Sequence, residues 1–167
     1  MGETKTLVLN HKQILQKITR IAYEIYERNV AEEEVVFAGI SGMGNLFAKL
    51  LANSLKEISP LKVELLEVKL DKTAIVQGEV RLSKEIDLTN KCLIIVDDVL
   101  NTGKTLAYAL KPFLEIPINK MEIAVLVNRS HKLFPVTPDY TGFELSTTLN
   151  EHIEVDLSTE QYTVHLH

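Results

Sequence analysis

Strand-length apolar segments alternate with segments of helical period along this chain, and that alternation restricts the fold more than any other feature. Val35 to Ile40 and Leu93 to Val96 are unbroken apolar runs, and Leu61 to Leu70 and Met121 to Val127 are of similar length with a few charges. A strand that reads apolar at successive positions must be covered on both faces. Between these segments lie residues at helical spacing. Ile14, Leu15, Ile18, Ile21, Ala22 and Ile25 follow a capping box at Asn10 and Gln13, and Asn29 is a stop near Arg28. Leu46, Phe47, Leu50, Leu51 and Leu55 mark a second helix, and Thr105 to Leu114 a third, bounded by Pro112 and Pro117. Strand and helix in this rhythm predict an α/β fold, a parallel sheet with flanking helices. The polar stretch 71–90, with one apolar patch at Ala74 to Val76, reads as a mobile hairpin lid rather than core. After Val127 the pattern predicts largely loop. A strand-like tail follows (Ile153 to Leu157, Tyr162 to Leu166), enough for a small hood. The chain is read as one domain, 1–167.

Charge narrows the possible partners. The sequence holds 18 Lys and Arg against 23 Asp and Glu, a net charge of −5, which argues against a generic polyanion binder. Cys92 is the only cysteine and sits in an apolar run, so a buried, reduced thiol in a cytoplasmic protein is expected. The five histidines show no paired spacing for zinc. No apolar stretch approaches the ~20 residues that span a bilayer, so no membrane partner is expected.

In parallel α/β sheets, ligands bind beyond the carboxyl ends of the strands. Two segments leave such ends: ISGMGN after Val35 to Ile40, and DDVLNTGKT after Leu93 to Val96. The second ends in Gly103-Lys104-Thr105, like a Walker-A loop, but has Asp98 where that motif needs its first glycine. An acid there would face the phosphates, so that reading fails. A bare strand end and turn, with Thr102 as helix N-cap, leaves two adjacent carboxylates unexplained. A ribose 5-phosphate explains both features. Asp97 and Asp98 can accept from two vicinal hydroxyls, while Asn101, Thr102, Gly103, Lys104 and Thr105 wrap the phosphate with N–H groups and hydroxyls at a helix start. In the first segment, Ser41, Gly42, Met43 and Gly44 fit a pyrophosphate loop better than a dinucleotide fingerprint, because Phe47 stands where a third small residue belongs.

VDDVLNTGKT resembles the phosphoribosyl pyrophosphate (PRPP) signature of type I phosphoribosyltransferases. ITRIAYEIYERN, IIVDDVLNTGKT and IAVLVNRSHKLFPVTPDYTG together resemble the pyrimidine-operon attenuator and uracil phosphoribosyltransferase (PyrR) family, over nearly the whole chain. That resemblance implies the type I fold, with Asp97 and Asp98 on the ribose hydroxyls and Asn101 to Thr105 on the 5-phosphate. It also implies Mg²⁺ carried on the PRPP diphosphate, and a homo-oligomer. The implied reaction displaces pyrophosphate from C1 of the ribose by a ring nitrogen of a nucleobase. The family usually places a basic residue where this chain has Met43; Lys72, at the start of the lid, can replace that charge.

The base is signposted less plainly. Hypoxanthine-guanine enzymes carry a lysine at the position of Asn128 and an acid at Asn101, whereas PyrR relatives carry an aspartate and an aromatic. Phe143, in TGFEL, resembles the aromatic that covers a purine and can stack on a flat heterocycle. Uracil is expected from the long-range resemblance, and a purine is the alternative. A second class of function is RNA-binding regulation without catalysis. Thr19, Arg20, Arg129 and His131 stand near positions where such relatives touch RNA, although an acidic chain does not favour it. A nucleotide or PRPP sensor without turnover is the third.

Overall fold

The computed structural model describes residues 4–73, 79–129, 131–148 and 150–167. Strands β1 (Thr6–Leu9), β2 (Glu34–Ile40), β3 (Lys62–Lys69), β4 (Arg81–Leu82), β5 (Cys92–Leu100), β6 (Lys120–Arg129), β7 (Tyr140–Leu145), β8 (Ile153–Asp156) and β9 (Thr163–Leu166) are joined by helices α1 (His11–Arg28), α2 (Met43–Ile58) and α3 (Lys104–Leu110). The main sheet runs β4-β3-β2-β5-β6-β7, and β1-β9-β8 form a separate three-stranded sheet, the hood. In the main sheet every pairing is parallel except that of β4 with β3.

The unbroken apolar runs are explained by what covers them. Val35 and Phe37 of β2 face one core with Ile14, Ile18 and Leu51 of α1 and α2. Val36, Ala38 and Ile40 face a second core with Leu106 and Phe113 beyond the other side of the sheet. Successive side chains point to opposite faces, so a strand buried twice cannot alternate. The predicted capping box opens α1, with Asn10 and Gln13 exchanging side-chain and backbone hydrogen bonds at 2.9 Å.

Asn29 ends α1 as expected, but it is also the centre of a buried polar cluster at the amino end of the sheet. Its Nδ2 donates to the Ile25 carbonyl at 2.8 Å, and its Oδ1 accepts from the Cys92 thiol at 3.2 Å. Burial pushes that thiol up to about 12. Tyr140 donates to Glu122 at 2.9 Å in the same cluster.

Four expectations are corrected. Stretch 71–90 is not held off the core: Leu88 is buried and Leu82 and Ile86 pack on the second core, while 74–76 and Gly78 lie outside the described residues. β5 runs on to Leu100, so Asp97 and Asp98 belong to a strand and not to a turn. The third helix stops at Leu110, and Pro112 sits in the short 3-10 turn that follows. Asn128 and Arg129 lie in β6 and Phe143 in β7, where mostly loop was predicted. The N-terminal strand β1 was not foreseen; it is only four residues long and its strand character depends on pairing with the distant β9.

Candidate functional site

The carboxyl end of β5 opens into a crevice of about 300 Å³, bordered by Lys72, residues 97–106 and Ile153. Asp97 and Asp98, together with Asn101, Thr102, Gly103, Lys104 and Thr105, are all in its lining. The crevice exists because β5 outlasts its covering helices: its last residues pair with β6 while α3 begins only at Lys104. Gly103 turns the chain at φ +89 and accepts the Ala107 N–H at 2.9 Å, starting the helix. Thr102 is not the N-cap residue, yet its Oγ1 accepts the Lys104 N–H at 3.2 Å.

The two acids differ in environment. Asp97 is 1% exposed, and its Oδ1 accepts the Asp98 N–H at 2.9 Å. Burial, then the Asp98 charge, push the Asp97 carboxyl well above its ordinary range, and Lys72 opposes them. Lys72 Nζ stands 2.8 Å from Asp97 Oδ1 and 3.4 Å from Asp98 Oδ1. Burial lowers the Lys72 ammonium, but the two aspartates outweigh it and raise the group above its usual value. Buried carboxylates need such a partner, because an uncompensated charge in a low dielectric is costly. Lys72, singled out from sequence as a replacement cation, is thus in contact with both acids.

The other predicted residues are placed less simply. The segment Ser41 to Gly44 abuts the crevice without lining it. Gly44, already in the first turn of α2, lies against Asp97. The Ser41 N–H is spent on the Val68 carbonyl at 2.9 Å, and the Asn45 and Leu46 N–H groups, already inside α2, return to the Gly42 carbonyl. Met43 turns toward the hood, where its Sδ accepts the Leu157 N–H at 3.4 Å. Asn128 is 8% exposed, opposite Leu100 in the sheet, and its Oδ1 is buried without a partner among the described residues.

Arg129 does not reach the crevice lining; it donates to the Thr147 hydroxyl and, at 2.6 Å, to the Thr148 carbonyl. His131 meets the Thr147 carbonyl, so these two residues hold the chain leading into the hood. Phe143 is also outside the lining; it packs on the α1 side of the sheet, with Lys17 Nζ 5.9 Å from its ring centre. Arg20 donates to the Thr141 and Gly142 carbonyls, each at 2.7 Å, and pairs with Glu24. Ile153 was missed by sequence reasoning. It comes from the hood, and nothing local in its sequence announces that β8 reaches the crevice.

Comparison with known proteins agrees with this geometry. The phosphoribosyl transferase domain model matches residues 6–161. The chain is 34% identical to the bifunctional protein PyrR of Bacillus cereus (strain AH820), over 93% of this chain and 92% of that protein. Identity and coverage are the same for the bifunctional protein PyrR of Bacillus thuringiensis subsp. konkukian (strain 97-27). Among solved structures, a hypoxanthine-guanine phosphoribosyltransferase (hpt-2) from Bacillus anthracis str. 'Ames Ancestor' superposes with a TM-score of 0.71 at 21% identity, covering 86% of this chain and 84% of that one. A ternary substrate complex of the Trypanosoma cruzi hypoxanthine phosphoribosyltransferase gives 0.77 at 16% identity, covering 92% and 89%. At such identities these structures establish a shared fold. Among the described residues no helix is long and apolar enough to cross a membrane.

Proposed function

The chain belongs to the phosphoribosyltransferase family and is a PRPP-dependent transferase, and from that premise we propose that it transfers ribose 5-phosphate from PRPP to uracil. The observation that carries the site assignment is the continuity of one crevice from the Asp97–Asp98 pair to the turn 101–105. Two acceptors lie at one end and a helix start at the other, as a sugar with a distal phosphate requires. Uracil is favoured by the relatives of the PyrR kind, which match along nearly the whole chain. A purine reading would lean on Phe143 as a stacking ring, and Phe143 faces α1 instead.

In this reading Asp97 and Asp98 accept from the 2- and 3-hydroxyls, and the turn holds the 5-phosphate. Lys72 must release the aspartates when the sugar arrives, and its ammonium then faces the diphosphate. The bond from C1 to the pyrophosphate oxygen breaks as the bond from C1 to the ring nitrogen forms. Positive charge develops on the sugar meanwhile, so the protein's work is alignment and exclusion of water. The Asn101 carboxamide can hydrogen-bond the base but cannot take its proton.

Among the described residues no group of three or more His, Cys, Asp or Glu converges as a metal cage. Two hard carboxylates beside a phosphate site suit a Mg²⁺ ion that arrives on the substrate. Such an ion supplies positive charge against the departing pyrophosphate. RNA-binding regulation is disfavoured, because Arg20 and Arg129 are tied to backbone carbonyls of the chain itself and the net charge is −5.

Incubation with PRPP, Mg²⁺ and one base at a time tests the reading. UMP is the expected product. IMP or GMP in its place would move the protein to purine salvage, and tight PRPP binding without product would make it a sensor. Replacing Asp97 and Asp98 together by Asn should weaken PRPP binding by roughly a hundredfold, the worth of two charge-assisted hydrogen bonds. Unchanged affinity in that variant would remove the ribose assignment.

A further inference from the structure

We propose that the loop after β6, residues 131–136, is a brace that fixes the orientation of the Thr102–Gly103 peptide and so pre-organises the phosphate cradle; this rests on the ribose 5-phosphate reading of the turn. The N–H groups of Leu133 and Phe134 both donate to the Thr102 carbonyl, at 2.8 and 3.0 Å. In a planar trans peptide the C=O and N–H point in opposite directions, and no cis peptide is found among the described residues. Drawing the Thr102 oxygen onto the loop therefore turns the Gly103 N–H away from it. The crevice lies on that side: Gly103 lines it, and Leu133, Phe134 and Val136 do not.

The turn's own hold on this peptide is slight, a 3.2 Å bond from the Lys104 N–H to Thr102 Oγ1. Gly103 has no side-chain cap, and α3 is only seven residues long. A peptide free to rotate would present its carbonyl to an incoming phosphate as readily as its N–H, and holding it in place beforehand removes that ordering cost from binding. The loop is itself anchored. Val136 is buried in the second core with Leu106 and Phe113, Phe134 packs beside it, and the Val136 N–H donates to the Phe134 carbonyl at 2.8 Å. A Cβ on residue 103 would lie 3.3 Å from the Phe134 oxygen, so glycine lets the brace close on the turn. Leu133, by contrast, is 80% exposed. It contributes its N–H and little else.

That asymmetry supplies the test. Leu133→Pro deletes the N–H, whereas Leu133→Ala keeps it. Calorimetry on the full chain would measure ribose 5-phosphate and pyrophosphate separately, alongside KM for PRPP and kcat. Leu133→Pro should bind ribose 5-phosphate about tenfold more weakly, the upper range for one lost hydrogen bond. Its pyrophosphate affinity should stay within about twofold, and KM should rise with kcat nearly unchanged, as for lost uniform binding. Leu133→Ala should match the wild type. Equal ribose 5-phosphate affinity in the two variants overturns the brace, as does a parallel loss of pyrophosphate affinity. If Leu133→Pro does not fold, Phe134→Ala, which strips the packing beside Gly103, must show the same split or the inference fails. A wild-type chain that ignores ribose 5-phosphate altogether would bring down the sugar reading first, and the brace with it.

Discussion

A Cβ placed on Gly44 would stand 2.7 Å from Asp97 Oδ1 and 3.1 Å from its Cα, so the first turn of α2 rests directly on the buried acid of β5. The segment Ser41 to Gly44 and the β5 acids are thereby one mechanical unit. Asp97 cannot move without pushing on the helix.

Gly44→Ala is therefore expected to displace Asp97. Overpacking of this kind costs roughly 1–3 kcal/mol of stability, and PRPP affinity should fall by about tenfold or more because the acceptor is misplaced. Thermal melts and PRPP titrations of the variant check this. Wild-type values for both would mean that the contact is slack.

The Lys72–Asp97 pair predicts two limbs in a profile of stability against pH. Burial and Asp98 raise the Asp97 carboxyl, so the folded chain holds that proton more tightly than the unfolded one. Its contribution is complete below the ordinary value of 3.8 and is lost as pH climbs through the folded value. Lys72 is raised as well, so its contribution persists through neutral pH and is lost only as pH rises above 10.5 through the folded value. Lys72→Met should erase the alkaline limb. It should also extend the acidic limb to higher pH, since the cation that opposed protonation of Asp97 is gone. Melting temperatures across both ranges decide the matter, and superimposable profiles would refute the coupling.

The family resemblance implies a basic residue at the position of Met43, whose sulfur instead accepts the Leu157 N–H at the edge of the hood. Met43→Arg is thus expected to lower stability by about 1 kcal/mol through lost packing. Pyrophosphate affinity should change by less than about threefold, because Lys72 already brings a cation to the crevice. A gain of tenfold would show that Lys72 does not serve the diphosphate.

Much of the fold and part of the site could be read from local pattern. α1 announced its own start through Asn10 and Gln13, because a capping box is a contact between residues three apart. The doubly covered strands followed from their unbroken apolar runs. Asp97, Asp98 and the turn 101–105 stood out because adjacent acids ahead of a glycine turn have few other uses. Gly44 was read as a loop glycine but stands in the first turn of α2, and its pressure on Asp97 joins residues far apart in sequence and was not legible.

What the sequence determined alone is therefore whatever rests on neighbours along the chain: the periodicities, the α1 cap and the residue types gathered at the end of β5. Tertiary structure decided which distant groups meet. It brought Lys72 onto both aspartates, Ile153 from the hood to the crevice, and Leu133 and Phe134 onto the Thr102 carbonyl. It also turned Arg129 and Phe143 to structural neighbours. Such contacts depend on strand order and helix packing, which set distances that no spacing in the sequence encodes.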